Sequence, residues 1–298
     1  MPFVPRMSDV LKWMFTTNVQ RNEKKHDKFR LTVTNDLGFR SHKKDCIIWL
    51  GHATFYIRLS GISILIDPVF FNIPFVKRYA PCPFTPDVFN HLDYLLISHD
   101  HRDHCQEKSI RHLSALNPQM QILTGLNMEP LLRPWSKTLT IQMAGWYQQY
   151  ATSKAIEIYF LPTRHWSKRG LGDDNKRLWG AFVIRSKDRT IYFSGDSGYG
   201  NHFAEVKHLF QKIDVAMIGI GAYKPEWFMH PNHVSPTDAV KAFHDLEANI
   251  FIPMHHGTFD ISDEPIGEPL RVLRKFQNEN KINGRLAPLN VGENFSDF

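Results

Sequence analysis

The chain has 298 residues, 42% hydrophobic and 22% charged, a balance that excludes a disordered or fibrous protein and leaves room for one large domain or two small ones. Its net charge of +6 and pI of about 9.1 favour anionic partners such as phospholipid head groups, nucleic acid or acidic small molecules, although the same excess suits plain solubility. Three cysteines without a CxxC pairing argue against a disulfide framework, and with no visible signal peptide and no apolar run of about 18 residues a cytoplasmic location is expected.

In chain order, residues 8–15 predict a short amphipathic helix with Ser8 as its cap. A helix packed on the domain edge and one that contacts a membrane both fit, because Trp13 and Phe15 share it with basic neighbours. Residues 21–30 are polar and expected to be exposed. A strand-rich pattern starts at Cys46. Residues 47–50 and 54–59 read as strands around Gly51-His52, then a hairpin turn at Gly61 leads to a strand at 62–66, stopped by Asp67-Pro68. Residues 94–97 form a short buried strand, and 107–116 a helix that ends near Asn117-Pro118. Further strands are expected at 121–124, 138–143, 155–161, 179–185, 190–194, 215–220 and 250–253, and a helix at 235–246 capped by Ser235. Clustered strands with helices interspersed later suit two layered sheets covered by helices.

Histidine is the compositional outlier, at 16 residues. His99, His101, Asp103 and His104 follow a strand directly. Residues two apart in extended chain point the same way, so His99 and His101 can reach one ion together, while the following turn aims Asp103 and His104 at a second. Imidazole and carboxylate suit zinc, and also iron or manganese. Two ions roughly 3.5–4 Å apart could share a bridging hydroxide. Further ligands lie at strand ends, where loops carry function: His165 after 155–161, Asp196 after 190–194, and His255 and His256 after 250–253. Spacing alone does not choose between His255 and His256.

The His-x-His-x-Asp-His run, Gly195-Asp196 and the late histidine together resemble the metallo-β-lactamase superfamily. Within it the chain is most similar to the N-acylphosphatidylethanolamine-hydrolysing phospholipase D family, over roughly residues 46–260. The similar stretches are Trp49 to Thr54, Asp67-Pro68, His165-Trp166, Asp173 to Lys176 with Leu178-Trp179-Gly180, Gly195-Asp196 through Gly198-Tyr199, Gly221-Ala222-Tyr223 with Trp227-Phe228-Met229, His233-Val234, and His255 with Gly257-Thr258-Phe259. The resemblance implies an α+β fold: an αββα sandwich of the metallo-β-lactamase type, a single hydrolase domain at 46–298 with an N-terminal extension at 1–45. By position it implies that His99, His101 and His165 bind one zinc, that Asp103, His104 and His255 bind the other, and that Asp196 bridges them. His255 takes the ligand role over His256 on this ground alone. His52 and Asp67 look like groups that orient zinc-bound imidazoles, and they equally suit a packed histidine and a strand-end turn. Residues 1–45 match poorly, and a homodimer is compatible with the resemblance. Cys105 departs from the family pattern, either as a soft extra ligand or as a buried thiol filling space.

The expected chemistry is attack by a metal-bridging hydroxide on a phosphodiester, with Asp103 orienting it and His233 or a zinc-bound water protonating the departing alkoxide. Trp166, Trp179, Tyr223, Trp227 and Phe228 flank the metal motifs, as core residues or as an apolar groove for acyl chains. Lys168, Arg169, Lys176 and Arg177 form either a solvated face or an attraction for an anionic lipid surface. The leading expectation is therefore a zinc phosphodiesterase that releases N-acylethanolamine and phosphatidic acid from a phospholipid, in peripheral contact with a membrane. The alternative is a soluble zinc hydrolase of a small lactone, ester or cyclic phosphate. A nucleic-acid partner is not expected, since no basic-aromatic module is evident.

Overall fold

The computed structural model of the chain describes residues 5–298, so the first four residues of the expected extension lie outside the described residues. The first sheet contains β1 (Cys46–Trp49), β2 (Phe55–Leu59), β3 (Ile62–Ile66), β4 (Tyr94–Ile97), β5 (Gln121–Gly125) and β6 (Thr140–Ala144). The second contains β7 (Gln148–Gln149), β8 (Glu157–Leu161), β9 (Ala181–Arg185), β10 (Thr190–Phe193), β11 (Val215–Gly219), β12 (Ile250–Met254) and β13 (Arg285–Leu286). A last strand, β14 (Asn294–Phe295), returns to pair antiparallel with β1. The spatial orders are β14-β1-β2-β3-β4-β5-β6 and β13-β12-β11-β10-β9-β8-β7. Within them β3 to β6 run parallel, as do β10 to β13, and the remaining pairs are antiparallel.

Side chains alternate faces along a strand, and this sorts the apolar residues into three layers. Ile47, Trp49, Phe55, Ile57, Ile64 and Ile66 of the first sheet meet Phe160, Phe182, Phe193, Met217 and Ile252 of the second. Their strand neighbours Ile48, Leu65, Leu95 and Ile97 face outward and are covered by Ile110, Leu113, Leu132 and Trp135 from helices Glu107–Leu116 and Glu129–Ser136. Val183, Tyr192, Ala216, Ile218 and Phe251 are covered in the same way by Phe203, Val206, Val240, Phe243 and Leu273 from helices His202–Phe210, Pro236–Asp245 and Glu268–Asn278. The result is the expected αββα sandwich, with near-continuous apolar strands because both faces are buried.

Differences from the expected elements have local causes. The first helix is Met7–Phe15, and Ser8 is not its cap; Asp9 Oδ2 accepts the Arg6 N–H at 2.8 Å and places a carboxylate at the positive helix end. Part of the polar 21–30 stretch is helical, at Arg21–His26. The strand expected from 179 starts at Ala181, because the Trp179 carbonyl accepts from Trp146 Nε1 and the Gly180 N–H donates to Ser98. Ser235 does cap helix Pro236–Asp245, accepting the Asp238 N–H at 3.2 Å. The N-terminal stretch packs onto the sandwich: Phe39 is buried among Tyr56, Phe84 and Phe89, and Thr34 donates its N–H to Val291.

Candidate metal centre

The donor-bearing residues gather at the C-terminal ends of strands, the usual place for a site on an open sheet with parallel strands. Asp67 follows β3, the run His99–His104 follows β4, His165 follows β8, Asp196 follows β10 and His255 follows β12. The close approach of these loops demands glycine at two points. Gly195 has φ +54°, and a Cβ there would lie 2.7 Å from the Gly180 carbonyl; one on Gly221 would lie 2.2 Å from the His255 carbonyl.

Two donor groups form. In the first, His101 Nδ1 stands 3.0 Å from His99 Nε2 and 3.2 Å from His165 Nε2. Nitrogens around one zinc at a bond length of about 2.05 Å would be roughly 3.3 Å apart in a tetrahedron, so this spacing is that of co-ligands. The second group joins His52, Asp103, His104 and His255. Asp103 Oδ2 is 3.6 Å from His255 Nε2 and 3.8 Å from His104 Nε2. Asp196 Oδ2 stands between the groups, 3.2 Å from both His104 and His255, 3.8 Å from His165 and 4.0 Å from His99.

The hydrogen bonds around the rings decide which nitrogens face inward. His104 Nδ1 lies 2.7 Å from Asp67 Oδ2, a carboxylate that can only accept, so Nδ1 carries the proton and Nε2 presents a lone pair to the centre. His165 Nδ1 donates to the Asn232 carbonyl at 3.2 Å, with the same consequence. Ser98 Oγ donates to Asp67 at 2.5 Å and can accept from His99 Nδ1 at 2.9 Å, which frees His99 Nε2. His104 Nε2 and both ring nitrogens of His255 are buried with no hydrogen-bond partner. His52 Nε2 donates to Asp103 Oδ2 at 2.9 Å, and burial and its neighbour His255 push its pKa down to about 3, so this donor is neutral.

The electrostatics fit a cation. Burial lowers His99 and His165 well below the ordinary imidazole range, leaving them as neutral lone-pair donors. Burial opposes charge on His104 and His255 too, but Asp196 and Asp103 outweigh it, so His104 is held well above its ordinary value and His255 is raised to about 9. Burial also works against the carboxylate forms of Asp103 and Asp196, yet the charge of His104 heads the neighbours that keep both well below the usual range. Buried Asp196 and the half-buried Asp103 thus draw positive charge onto the inward-facing nitrogens, as protons on His104 and His255 or as a divalent ion that takes their place.

The other expected residues divide. His233 reaches the centre, with Nδ1 3.7 Å from Asp196 Oδ2, and burial pushes it down to about 4. Trp166 lies edge-on to His101 at 4.9 Å and lines an open cleft of about 520 Å³ that also includes Ile73, Val76, Arg102, Asp103, Lys168, Arg169 and Ile261. Trp179 does not reach it: it is buried and its indole N–H is spent on the Thr163 carbonyl. Tyr223 is buried with its hydroxyl on Glu268. Phe228 is buried under Trp13 of the first helix, the rings stacked at 5.2 Å, and Lys12 lies 4.5 Å over Trp227. Phe228 and Trp227 thus pack against the first helix, Tyr223 is tied to Glu268, and none of the three lines the cleft beside Trp166. His256 packs tilted against Trp49, with ring centroids 5.1 Å apart, and belongs to neither donor group. Cys105 belongs to the core under helix Glu107–Leu116, and burial pushes its thiol up to about 12, so it fills space.

Three contributors escaped sequence reasoning. Ser98 relays between Asp67 and His99, and the Asn232 carbonyl holds His165. Asp100, between the two leading histidines, is fully buried and paired with Arg177 at 2.7 Å, and Arg177 also holds Asp173 at 2.7 Å. The Asp-rich stretch at 173–176 was the available signal: it closes the loop over the metal motif.

A β-lactamase superfamily domain model matches residues 63–256, more than half of the chain. The chain belongs to the β-lactamase superfamily. It is 33% identical over 225 residues to N-acyl-phosphatidylethanolamine-hydrolyzing phospholipase D 1 of Caenorhabditis elegans, covering 71% of this chain and 63% of that protein. It is 32% identical over 237 residues to the mitochondrial N-acyl-phosphatidylethanolamine-hydrolyzing phospholipase D of Saccharomyces cerevisiae, covering 76% of this chain and 50% of that one. The matches thus span half to just under two thirds of those curated relatives. Igni18, a metallo hydrolase from Ignicoccus hospitalis, shares the fold with a TM-score of 0.63 at 18% identity, covering 84% of this chain and 97% of that chain. No described helix is long and apolar enough to cross a membrane.

Proposed function

We propose that the chain is a zinc-dependent phosphodiesterase of the phospholipase D type, hydrolysing N-acylphosphatidylethanolamine-like phospholipids to N-acylethanolamine and phosphatidic acid. The observation that carries this reading is the pairing of a two-group donor site sharing Asp196 with an open cleft in which apolar Trp166, Ile73, Val76 and Ile261 lie beside cationic Arg102, Lys168 and Arg169. An anionic amphiphile matches both kinds of lining, and the two curated relatives support the same substrate class. Zinc ions held by His99, His101 and His165, by Asp103, His104 and His255, and jointly by Asp196 would supply an activated water and neutralise phosphoryl charge, and iron or manganese would suit the same donors.

The residues of the chain do the rest. Asp103, whose side chain is 20% exposed at the cleft, can accept the proton of the attacking water while His52 orients it by donating to Oδ2. Water adds across the bond between phosphorus and the N-acylethanolamine oxygen, leaving phosphatidic acid, and the departing alkoxide takes the proton that Asp103 accepted from the water. His233, neutral near pH 7, is placed to guide that oxygen through its remaining N–H. Trp166 and the cleft cations orient the lipid phosphate and shield it from water.

The test is an assay of the zinc-loaded chain on N-acylphosphatidylethanolamine, a lactone and a cyclic nucleotide, beside Asp103→Asn. Release of N-acylethanolamine by the wild type, reduced on the order of a hundredfold or more in the variant, is expected. Turnover of the lactone or cyclic nucleotide alone would select the soluble-substrate alternative. Full activity of Asp103→Asn on every substrate would overturn the role given to the centre.

A further inference from the structure

Two apolar side chains at the mouth of the metal cleft stand wholly in water. Phe75 is 108% exposed and Leu171 is 98% exposed. Phe75 sits between the cleft-lining Pro74 and Val76, and Leu171 follows the cleft-lining Gly170, so two separate loops carry an exposed hydrophobe to one opening. Scattered exposed apolar residues are ordinary, but two complete exposures on opposite loops of one cleft are not scattered.

Both loops are held from behind, so the tips are presented instead of collapsing. Arg78 Nη2 donates to the Val69 and Phe71 carbonyls, and Gln106 brackets Phe71 by donating to its carbonyl and accepting its N–H. Asp173 accepts the N–H groups of Arg169 and Gly170 and is itself held by Arg177. Phe75 also has φ +64°, a conformation a bulky residue adopts at a cost, here for a ring that contacts nothing in the chain.

The charge around these tips is positive. Arg102 lines the cleft, and Lys77 and Lys176 follow the two loop tips closely in sequence; among the described residues none of the three is in an ion pair. Lys168 is matched by Asp174 at 2.7 Å. Exposed apolar tips with the cleft-lining Arg102, and with Lys77 (its ammonium over the Tyr79 ring) and Lys176 close by in sequence, complement a surface with an apolar interior and negative head groups.

We propose that Phe75 and Leu171 insert into an anionic phospholipid bilayer, with Arg102, Lys77 and Lys176 against lipid phosphates, so that the metal cleft opens directly onto the membrane. The inference rests on the lipid phosphodiesterase reading and adds the surface that meets the lipid. It sets that contact at the cleft mouth and not on the first helix, where Met14 and Phe15 are exposed but Trp13 is spent on Phe228 and Asp263.

The experiment is sedimentation of the full zinc-loaded chain with phosphatidylcholine vesicles, with and without phosphatidylserine, at low and raised salt. The chains compared are the wild type, the double variant Phe75→Ser/Leu171→Ser, and Met14→Ser/Phe15→Ser on the first helix. The wild type is expected to bind the phosphatidylserine vesicles in a salt-sensitive way, and the double variant to bind at least about tenfold more weakly. Thermal stability and hydrolysis of soluble bis(p-nitrophenyl) phosphate should be unchanged in the double variant, since neither side chain touches the donors. Equal binding by wild type and double variant, no vesicle binding by the wild type, or loss confined to the helix variant would each overturn the proposal. Failure of the lipid reading looks different: no phospholipid is cleaved, yet vesicle binding and its loss in the double variant persist, which still supports the docking surface.

Discussion

Asp67→Asn tests whether the centre depends on the tautomer of one histidine. Asp67 is fully buried; its Oδ1 accepts the Ser98 N–H at 2.8 Å, and its Oδ2 accepts from His104 Nδ1 at 2.7 Å and from Ser98 Oγ at 2.5 Å. Asparagine has the same shape but places an NH₂ at one of these positions. With the NH₂ toward His104, Nδ1 must become the acceptor, the ring proton moves to Nε2, and the lone pair aimed at Asp196 and Asp103 is lost. The opposite orientation keeps an acceptor toward His104 but sets the NH₂ against the buried Ser98 N–H, two donors face to face, at a comparable cost. Loss of such an orienting partner costs about 10- to 100-fold in metal affinity, or about 1.4–2.8 kcal/mol. The loss should be selective, weakening the ion at Asp103, His104 and His255 while the one at His99, His101 and His165 is kept. Metal content per chain and titration against a chromophoric chelator read this directly, with circular dichroism to establish folding. Two equivalents bound at wild-type affinity by a folded Asp67→Asn chain would refute the tautomer argument.

Arg177→Met leaves the buried Asp100 carboxylate without its cation; a loss of about 3 kcal/mol is expected in urea unfolding, the cost of stranding a buried charge. Gly195→Ala must force a Cβ to within 2.7 Å of the Gly180 carbonyl at φ +54°, so destabilisation of about 1–3 kcal/mol with impaired metal loading is expected in thermal melts and metal analysis. Trp13→Ala removes the stack on Phe228 and the hydrogen bond to Asp263; faster amide exchange and proteolysis across residues 7–26 should follow, with the metal content unchanged. Removing the metal with a chelator should lower the melting temperature, because binding to the folded state alone contributes about 4 kcal/mol when the ion is at a thousand times its dissociation constant. An unchanged melting temperature at verified metal loss would count against a centre built from buried, charge-demanding donors.

The layered fold was legible because most strands are buried on two faces, so strands such as 47–50 and 94–97 read as unbroken apolar runs. Less legible were helices that sequence signals obscure. Glu129–Ser136 contains Pro134, which reads as a breaker, and Glu268–Asn278 is mostly polar and buries only a narrow stripe that includes Leu270 and Leu273. In the site, donors placed directly at strand ends could be read from the sequence, because the strand fixes where the next residues point. Residues that hold the donors could not: Ser98 and Asp100 act through contacts with Asp67 and Arg177, tens of positions away, and Asn232 acts through its carbonyl, which any residue could supply.

The aromatic residues mark the sharpest limit of sequence reading, and the reason is physical. Trp166 and Phe228 both flank the metal motifs in sequence, yet one lines the cleft beside His101 and the other is capped by Trp13. Burial of an aromatic side chain is favourable whichever apolar partner supplies it, so residue type alone does not distinguish an acyl chain from the chain's own helix. The same holds for the cations, where Arg177 is committed to Asp100 and Asp173 while Arg102, in no ion pair among the described residues, lines the cleft. Partnership, not composition, separates residues that build the loops from residues left to meet something outside the chain. That criterion selects Phe75 and Leu171, which no motif marked, over Tyr223 and Phe228, which one did.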